Sequence, residues 1–185
     1  MRIIEDGASE VNGRPLRADA RRSRDLIIGA AQRAFRIDGP NASLERIASD
    51  AGVGSATLHR HFPGRESLLA AVFAATVDRF VADAAATEHS PNGYWGWLER
   101  IVRDCAADDA LGAAIRAGGG GAQLWAPLIE AARPLHAAAP ESAAEFRVEE
   151  LLALVDAIAS TFAGHPDRAG HMLAVVRRGL GGSGE

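Results

Sequence analysis

Residues 43–62 constrain the fold more than any other part of this chain. Ser43 can cap a short helix, and Gly52 follows where a tight turn needs a left-handed backbone conformation that residues with a Cβ rarely adopt. Ala48 is small enough to let two helices cross closely. Apolar residues on both sides of the turn would hold the helices together: Leu44, Ile47, Ala51, Val53 and Leu58. The pattern predicts a helix-turn-helix, whose second helix can enter the major groove of DNA.

Basic residues are concentrated around this segment. The chain has a net charge of −4, but residues 14–65 contain ten arginines and five acidic residues, a formal charge of +5. Residues 66–185 contain nine arginines and sixteen acidic residues, a formal charge of −7. This asymmetry favours phosphate binding at one end of the molecule. The alternative is a chance asymmetry of surface charges, so the charge indicates DNA binding only together with the predicted helix pair.

Composition narrows the class of protein. The 185 residues allow one or two small domains. No segment approaches the roughly 18 consecutive apolar residues of a membrane helix, and no apolar stretch follows the amino-terminal charges as in a secretory signal. Cys105 is the single cysteine, which excludes an internal disulfide and a cysteine-rich metal site. We therefore expect a cytoplasmic protein without metal, cofactor or membrane partner.

Helical periodicity extends along the chain, and no segment alternates like a strand. Besides the helix pair, we expect helices near 19–36, 65–87, 94–107, 108–117, 122–138, 143–163 and 166–180. The prediction is an all-α fold of about nine helices. Residues 1–17 are expected to be a disordered arm, residues 18–64 a helix-turn-helix domain, and residues 65–185 a second helical domain.

The amino-terminal half resembles the TetR family of bacterial transcriptional regulators. The resemblance runs from Arg22 to Val77 and depends on several spaced elements in order: Ala34-Phe35, Gly39–Leu44, Ile47-Ala48, Ala51-Gly52-Val53, Thr57–Phe62 and Arg65–Leu69. It implies a homodimer in which three helices bind DNA and a fourth leads to a helical ligand-binding and dimerisation domain. Two positions depart from the family pattern, because His59 replaces the usual tyrosine and Arg65 replaces a frequent lysine.

The residues expected at the DNA lie on or beside the second helix of the pair, on the side opposite Leu58 and Phe62. They are Ser43, Ser55, Ala56, Thr57, His59, Arg60, His61 and Arg65. Arg60 is the predicted base-reading residue because a guanidinium can bind guanine O6 and N7; contact with phosphate alone is the alternative. Ser43 and Ser55 are also predicted to cap their helices.

Aromatic and apolar residues in the middle of the chain predict a pocket for an apolar or aromatic inducer. Its expected lining is Phe73, Trp95, Leu98, Cys105, Leu124 and Trp125, although ordinary core packing predicts the same residues. Two later apolar faces predict the dimer interface: Leu151, Leu154, Val155, Ile158 and Phe162, with Met172, Leu173, Val176 and Leu180. The alternative is that these faces complete the core of one subunit.

The sequence therefore predicts a homodimeric repressor that binds a palindromic site in double-stranded DNA and is released by an unidentified small molecule. A catalytic function is not expected, because no motif of a nucleophile surrounds Cys105 and the glycines at 118–121 lack the lysine of a phosphate-binding loop. The alternative is a small-molecule or protein-binding module, such as an antirepressor, that has lost specific DNA binding. His59 favours this alternative.

Overall fold

The computed structural model describes residues 13–108 and 121–181, and within these ranges the regular structure is helical. The helices are α1 (Gly13–Asp38), α2 (Leu44–Asp50), α3 (Ser55–His61), α4 (Arg65–Ala86), α5 (Pro91–Ala107), α6 (Gly121–Ala137), α7 (Glu141–Ala144), α8 (Val148–Thr161) and α9 (Pro166–Gly181). The predicted all-α class is confirmed. No helix in the described ranges has the length and hydropathy needed to cross a membrane.

Three helix starts differ from the sequence prediction. Helix α5, expected from about residue 94, begins at Pro91, because the Ser90 hydroxyl caps it by accepting from the Gly93 N–H at 3.1 Å. The backbone of residues 13–17, expected in the disordered arm, belongs to α1. Pro15 is compatible with this position because N–H groups in the first helical turn have no intrahelical acceptor. The helix expected at 143–163 begins only at Val148, because Arg147 is extended and its N–H donates to the Glu150 carboxylate at 2.8 Å. Residues 1–12 and the helix expected at 108–117, apart from the non-helical Asp108, lie outside the described residues.

The amino-terminal domain packs α1, α2, α3 and the start of α4 around one apolar cluster. Its largest fully buried side chains come from all four helices: Ile27, Phe35, Ile47, Leu58 and Leu68. Gly52 forms the turn between α2 and α3 with φ of +68°, the left-handed conformation expected from the sequence. The domain therefore holds α3 on a core that leaves its other side accessible.

The carboxy-terminal domain forms a second apolar cluster from the rest of α4 together with α5, α6, α8 and α9. Trp97 lies completely buried in it, and its indole N–H donates to the carbonyl of Phe80 at 3.1 Å. Helix α9 packs on α5, where Arg103 forms a 2.6 Å ion pair with Asp167. Since α4 contributes to both clusters, it connects the two domains.

Candidate nucleic-acid interface

Helix α3 is the second helix of the predicted helix-turn-helix. Backbone hydrogen bonds of 3.0 Å from Gly52 to Ser49 and from Val53 to Ala48 close the turn after α2. On α3 the side chains of Leu58 and Phe62 are only 1 % and 3 % exposed, and they pack into the amino-terminal cluster. The seven-residue helix is thus fixed by its inner side, as the apolar spacing predicted.

The outer side of α3 is open. Ser55, Ala56, His59 and Arg60 are exposed, and Thr57 is partly buried. Arg60 forms no hydrogen bond or ion pair with any residue in the described ranges. Its guanidinium therefore keeps all of its donors for an external partner, which a base-reading residue requires.

The two serines predicted as caps behave differently. Ser43 is the N-cap of α2, and its hydroxyl accepts a hydrogen bond from the Arg46 N–H at 3.2 Å. The cap of α3 is Gly54, not Ser55, because the Gly54 carbonyl accepts the first helical bonds from Thr57 and Leu58. Ser55 is instead the first helical residue and is exposed, so its hydroxyl faces solvent at the start of α3.

A carboxylate lies close to the start of α2. Glu45 accepts a hydrogen bond from the Ser43 hydroxyl at 3.0 Å. Its own backbone N–H, and then this hydroxyl, lower the pKa of Glu45, so the group stays ionised at neutral pH. A phosphate contact by Ser43 requires the hydroxyl to turn away from this carboxylate.

The His61 side chain is less accessible than expected for a residue predicted to face DNA. The side chain is partly buried, and its Nε2 is shielded without a hydrogen-bond partner among the residues that the structure describes. The centre of its ring lies 6.3 Å from the centre of the Phe62 ring. His59, by contrast, is exposed. Of the two histidines, His59 is the better placed for a phosphate or sugar contact.

Exposed arginines of α1 extend the basic surface beside α3. Arg21, Arg22 and Arg24 are exposed, and the Arg24 guanidinium lies 5.6 Å from the centre of the Phe62 ring at the end of α3. Such a contact is a cation–π interaction. It brings the charge of α1 next to the carboxy-terminal end of α3, where Phe62 is the capping residue.

Arg65 ties two segments of the amino-terminal domain together, a role that the sequence did not indicate. Its Nη1 donates to the carbonyls of Pro40 at 2.9 Å and Ala42 at 2.6 Å. The first residue of α4 thus holds the loop immediately before the Ser43 cap. No local pattern signals this, because the partners lie 25 and 23 positions away along the chain.

We expect Arg65→Ala to lower the free energy of unfolding by about 1–2 kcal/mol, since two partly solvated charged hydrogen bonds are lost. Urea denaturation followed by circular dichroism measures this. Arg33→Ala is the matched control, because Arg33 is exposed in the same domain and bonds to no described residue. Equal stability of the two variants would show that the hydrogen bonds of Arg65 to Pro40 and Ala42 do not stabilise the domain.

The residues expected to line an inducer pocket lie in the carboxy-terminal core. Phe73, Trp95, Leu98 and Cys105 are buried, and Trp125 packs edge-on against Phe73 with 6.0 Å between ring centres. Leu124 belongs to α6, but its side chain lies outside the described part. Burial raises the pKa of the Cys105 thiol to about 12, which disfavours a thiolate nucleophile at neutral pH.

The residues expected at a dimer interface divide into two groups. Leu151, Val155, Ile158 and Leu173 are buried within the subunit. Leu154, Phe162 and Val176 are partly buried, and Met172 is 36 % exposed. Sequence reasoning omitted two further apolar residues, Phe146 and Val175, which are 38 % and 42 % exposed. A groove of about 390 Å³ runs between α8 and α9, lined by Phe146, Glu150, Leu151, Leu154, Val176 and Leu180. We call Phe146, Leu154, Met172, Val175, Val176 and Leu180 the α8–α9 face.

Comparisons with known proteins agree with this geometry. Residues 27–72 match the sequence model of the tetR family of bacterial regulatory proteins. A stretch of 67 residues is 36% identical to an HTH-type transcriptional regulator of Staphylococcus aureus, and it spans 36% of each chain. The chain thus matches little more than a third of the length of this curated relative.

Two solved structures are similar over most of their length. A TetR transcription regulatory protein from Mycobacterium vanbaalenii superposes with a TM-score of 0.67 at 29% identity, covering 90% of this chain and 99% of that one. A TetR transcriptional regulator from Streptomyces coelicolor superposes with a TM-score of 0.63 at 33% identity, covering 85% and 97%. The similarity therefore extends into the carboxy-terminal domain.

Proposed function

This chain belongs to the TetR family of bacterial regulatory proteins and is a helix-turn-helix transcriptional regulator; we propose that it represses transcription. Two subunits bind a palindromic operator, and a small molecule releases them. The observation that carries the proposal is the exposed, unpartnered Arg60 guanidinium on the open side of α3, within the part of the chain that the structure describes.

Two features favour DNA over another partner. The first is charge, because residues 14–65 carry a formal +5 in a chain whose net charge is −4. The second is shape, because α3 is anchored by Leu58 and Phe62 on one side only. An anchored helix with an open basic side can enter a major groove, and flanking arginines can bind the phosphates on either side.

A dimer is required because one helix-turn-helix contacts only a few base pairs. Two copies related by a twofold axis bind two half-sites about 34–36 Å apart, or a multiple of this distance. The α8–α9 face supports such an assembly, since it presents exposed apolar side chains on the side of α9 that does not pack on α5. A twofold contact would place this face of one subunit against the same face of the other.

The inducer is proposed to bind among the aromatic residues of α4, α5 and α6. Trp125 is only partly buried, and its ring makes an edge-on contact with Phe73. The two rings would form one apolar wall of the binding site. A ligand that separates these rings would move α4, which also contributes to the amino-terminal cluster. The ligand then releases the operator if it binds the DNA-free conformation of the protein more tightly than the DNA-bound conformation.

Arg60→Ala is expected to weaken binding to the operator by about 1–3 kcal/mol and to relax the preference at the contacted base pair. Fluorescence anisotropy on the operator, on the same duplex with that base pair changed, and on unrelated DNA measures both effects. The control is Arg168→Ala, which removes the same charge from an exposed position on α9. Equal losses on all three duplexes would reduce Arg60 to a phosphate contact.

The alternative function is a small-molecule or protein-binding module of the same fold without specific DNA binding. It is favoured by His59, which lacks the phenol hydroxyl usual in the family, and by the inward ring of His61. Under this alternative, the affinity for DNA would be the same for every sequence and would fall steeply with rising salt, since only phosphate contacts would remain.

A further inference from the structure

Helix α9 is joined to α5 near both of its ends, and the two helices run antiparallel. At the start of α9, Asp167 accepts a hydrogen bond from Nη1 of Arg103 on α5 at 2.6 Å. Toward the end of α9, Arg177 donates from Nη2 to the side chain of Asn92 at the start of α5, at 2.9 Å. Each helix therefore contributes one arginine, and together the two contacts fix the position of α9 along α5.

The turn that leads into α9 is also held to α5. The Gly164 N–H, two residues before the helix, donates to the carbonyl of Ala106 at 2.7 Å. Gly164 has a φ of +78°, in the left-handed region that favours glycine. Ala106 lies in the last turn of α5. The start of α9 is thus attached through the backbone as well as through the Arg103 side chain.

Gly170 allows the Arg103 side chain to lie directly against α9. Gly170 is buried, and a Cβ at this position would stand 2.7 Å from Nε and 2.8 Å from Cζ and Nη2 of Arg103, closer than real Cβ atoms approach other groups. The guanidinium therefore occupies the space that a side chain at position 170 would take. Its Nε also donates to Glu99 on the same helix at 3.0 Å, so the group is held from both sides.

These contacts act on orientation more than on stability. The Asp167 side chain is 96 % exposed, and an ion pair so open to water contributes little to the stability of a fold. A guanidinium is planar, however, and its donors have fixed directions. A rotation of α9 about its own axis would carry both Asp167 and Gly170 away from Arg103. The contacts therefore fix the rotation of α9 on α5.

The rotation of α9 decides which of its side chains face outward. Ala169, Gly170 and Leu173 are buried on the side toward the subunit core, whereas Met172 and Val175 are 36 % and 42 % exposed. The two exposed residues belong to the α8–α9 face. A rotation that separated Gly170 from Arg103 would turn them away from their present direction.

We propose that Arg103 is a positioning residue for the contact between subunits: placed against Gly170, it fixes the rotation of α9 that presents Met172 and Val175 to the partner subunit. Arg103 acts through α9. The proposal rests on the part of the proposed function in which the α8–α9 face joins two subunits. In a twofold contact any change in α9 is present on both sides of the interface, so its effect on the dimer is doubled.

Sedimentation equilibrium of the full-length protein over a range of concentrations tests this through the dissociation constant of the dimer. Arg103→Ala, which removes the guanidinium, and Gly170→Ala, which displaces it, should each raise the constant about tenfold. The double variant should match Arg103→Ala, because a Cβ at position 170 meets no guanidinium once the arginine is gone. Unchanged constants for the single variants, or effects that multiply in the double variant, would overturn the proposal.

Two substitutions on α5 are matched controls. Arg100→Ala also removes an ion-paired arginine, but one that binds Asp83 of α4 at 2.7 Å. Gly96→Ala also adds a Cβ beside an arginine, but at an ordinary contact distance of 3.6 Å from Nη1 of Arg100. Both variants should dimerise as the unmodified protein does. A tenfold weaker dimer in either control would show that the effect is not particular to α9, and would overturn the role of Arg103.

A general loss of stability is separated from positioning in the background of Val176→Glu, which places a carboxylate on the α8–α9 face and should give a single subunit. In this background no dimer contributes to unfolding. Arg103→Ala and Arg100→Ala should then have the same midpoint of urea denaturation. A clearly lower midpoint for Arg103→Ala would make Arg103 a stabilising residue only, and would overturn the proposal.

Failure of this inference differs from failure of the proposed function. If the Val176→Glu protein remains a dimer, the subunits meet elsewhere, and the α8–α9 face falls together with the role of Arg103. If Val176→Glu separates the subunits while Arg103→Ala and Gly170→Ala dimerise as tightly as the unmodified protein, the face stands and only the positioning role is refuted.

Discussion

Val176→Glu should separate the two subunits and lower operator affinity by about a hundredfold or more, because linked half-sites lose their effective concentration. Val176 lies in the groove between α8 and α9, next to Leu154 and Leu180. In a twofold dimer a carboxylate at this position meets apolar surface of the partner and loses its hydration, which costs free energy. The subunit itself should tolerate the change, since Val176 is only partly buried.

Sedimentation of the purified variant measures the first effect, and anisotropy on the operator measures the second. Ala85→Glu is the matched control, because it adds the same charge at an exposed position of α4, away from the α8–α9 face. The control should remain dimeric with unchanged affinity. A Val176→Glu protein that sediments as a dimer would show that the subunits meet elsewhere, and the assignment of this face would be lost.

Trp97→Ala should lower the free energy of unfolding by about 3–5 kcal/mol, the range for truncating a large aromatic residue in a packed core. Trp97 is 0 % exposed and is among the largest fully buried side chains of the structure. Its substitution leaves a cavity between α4 and α5 and also leaves the Phe80 carbonyl without the indole donor at 3.1 Å. Both effects act on the helix that connects the two domains.

Trp97→Phe separates these contributions, since it keeps most of the ring volume and removes the indole N–H. We expect a smaller loss, about 1–3 kcal/mol, from the unsatisfied carbonyl and the reduced packing. Urea denaturation of both variants, followed by circular dichroism, gives the two values. A loss below about 1 kcal/mol for Trp97→Ala would contradict close packing of Trp97 between α4 and α5.

The helix-turn-helix was predictable because its determinants are local. Gly52 is required by a backbone angle, which the structure gives as +68°, and the inward residues Leu58 and Phe62 follow from helical spacing. Both features depend on residues within one or two turns of each other. The same reasoning failed by one position at the start of α3, since serine is a frequent cap but here the Gly54 carbonyl accepts the first helical bonds.

Features that depend on distant residues were not predictable. The contacts of Arg65 join carbonyls more than twenty positions away, and no periodicity carries that information. The apolar residues of α8 could belong to the subunit core or to an interface, and only tertiary packing shows that Leu151 is buried while Leu154 remains partly open. The contact of Arg103 with Asp167 joins residues 64 positions apart, so it too appears only in the folded chain.

Selection of genomic fragments by the purified protein, followed by sequencing of those retained, tests most directly whether paired α3 helices bind a specific DNA site. The expected result is a shared inverted repeat whose half-sites are centred about 10 base pairs apart or a multiple of this spacing. The Arg60→Ala protein, selected in parallel, should retain fragments in which the base pair contacted by Arg60 is no longer preferred. Retention of fragments without any common sequence, at a salt concentration that removes phosphate-only binding, would contradict the account.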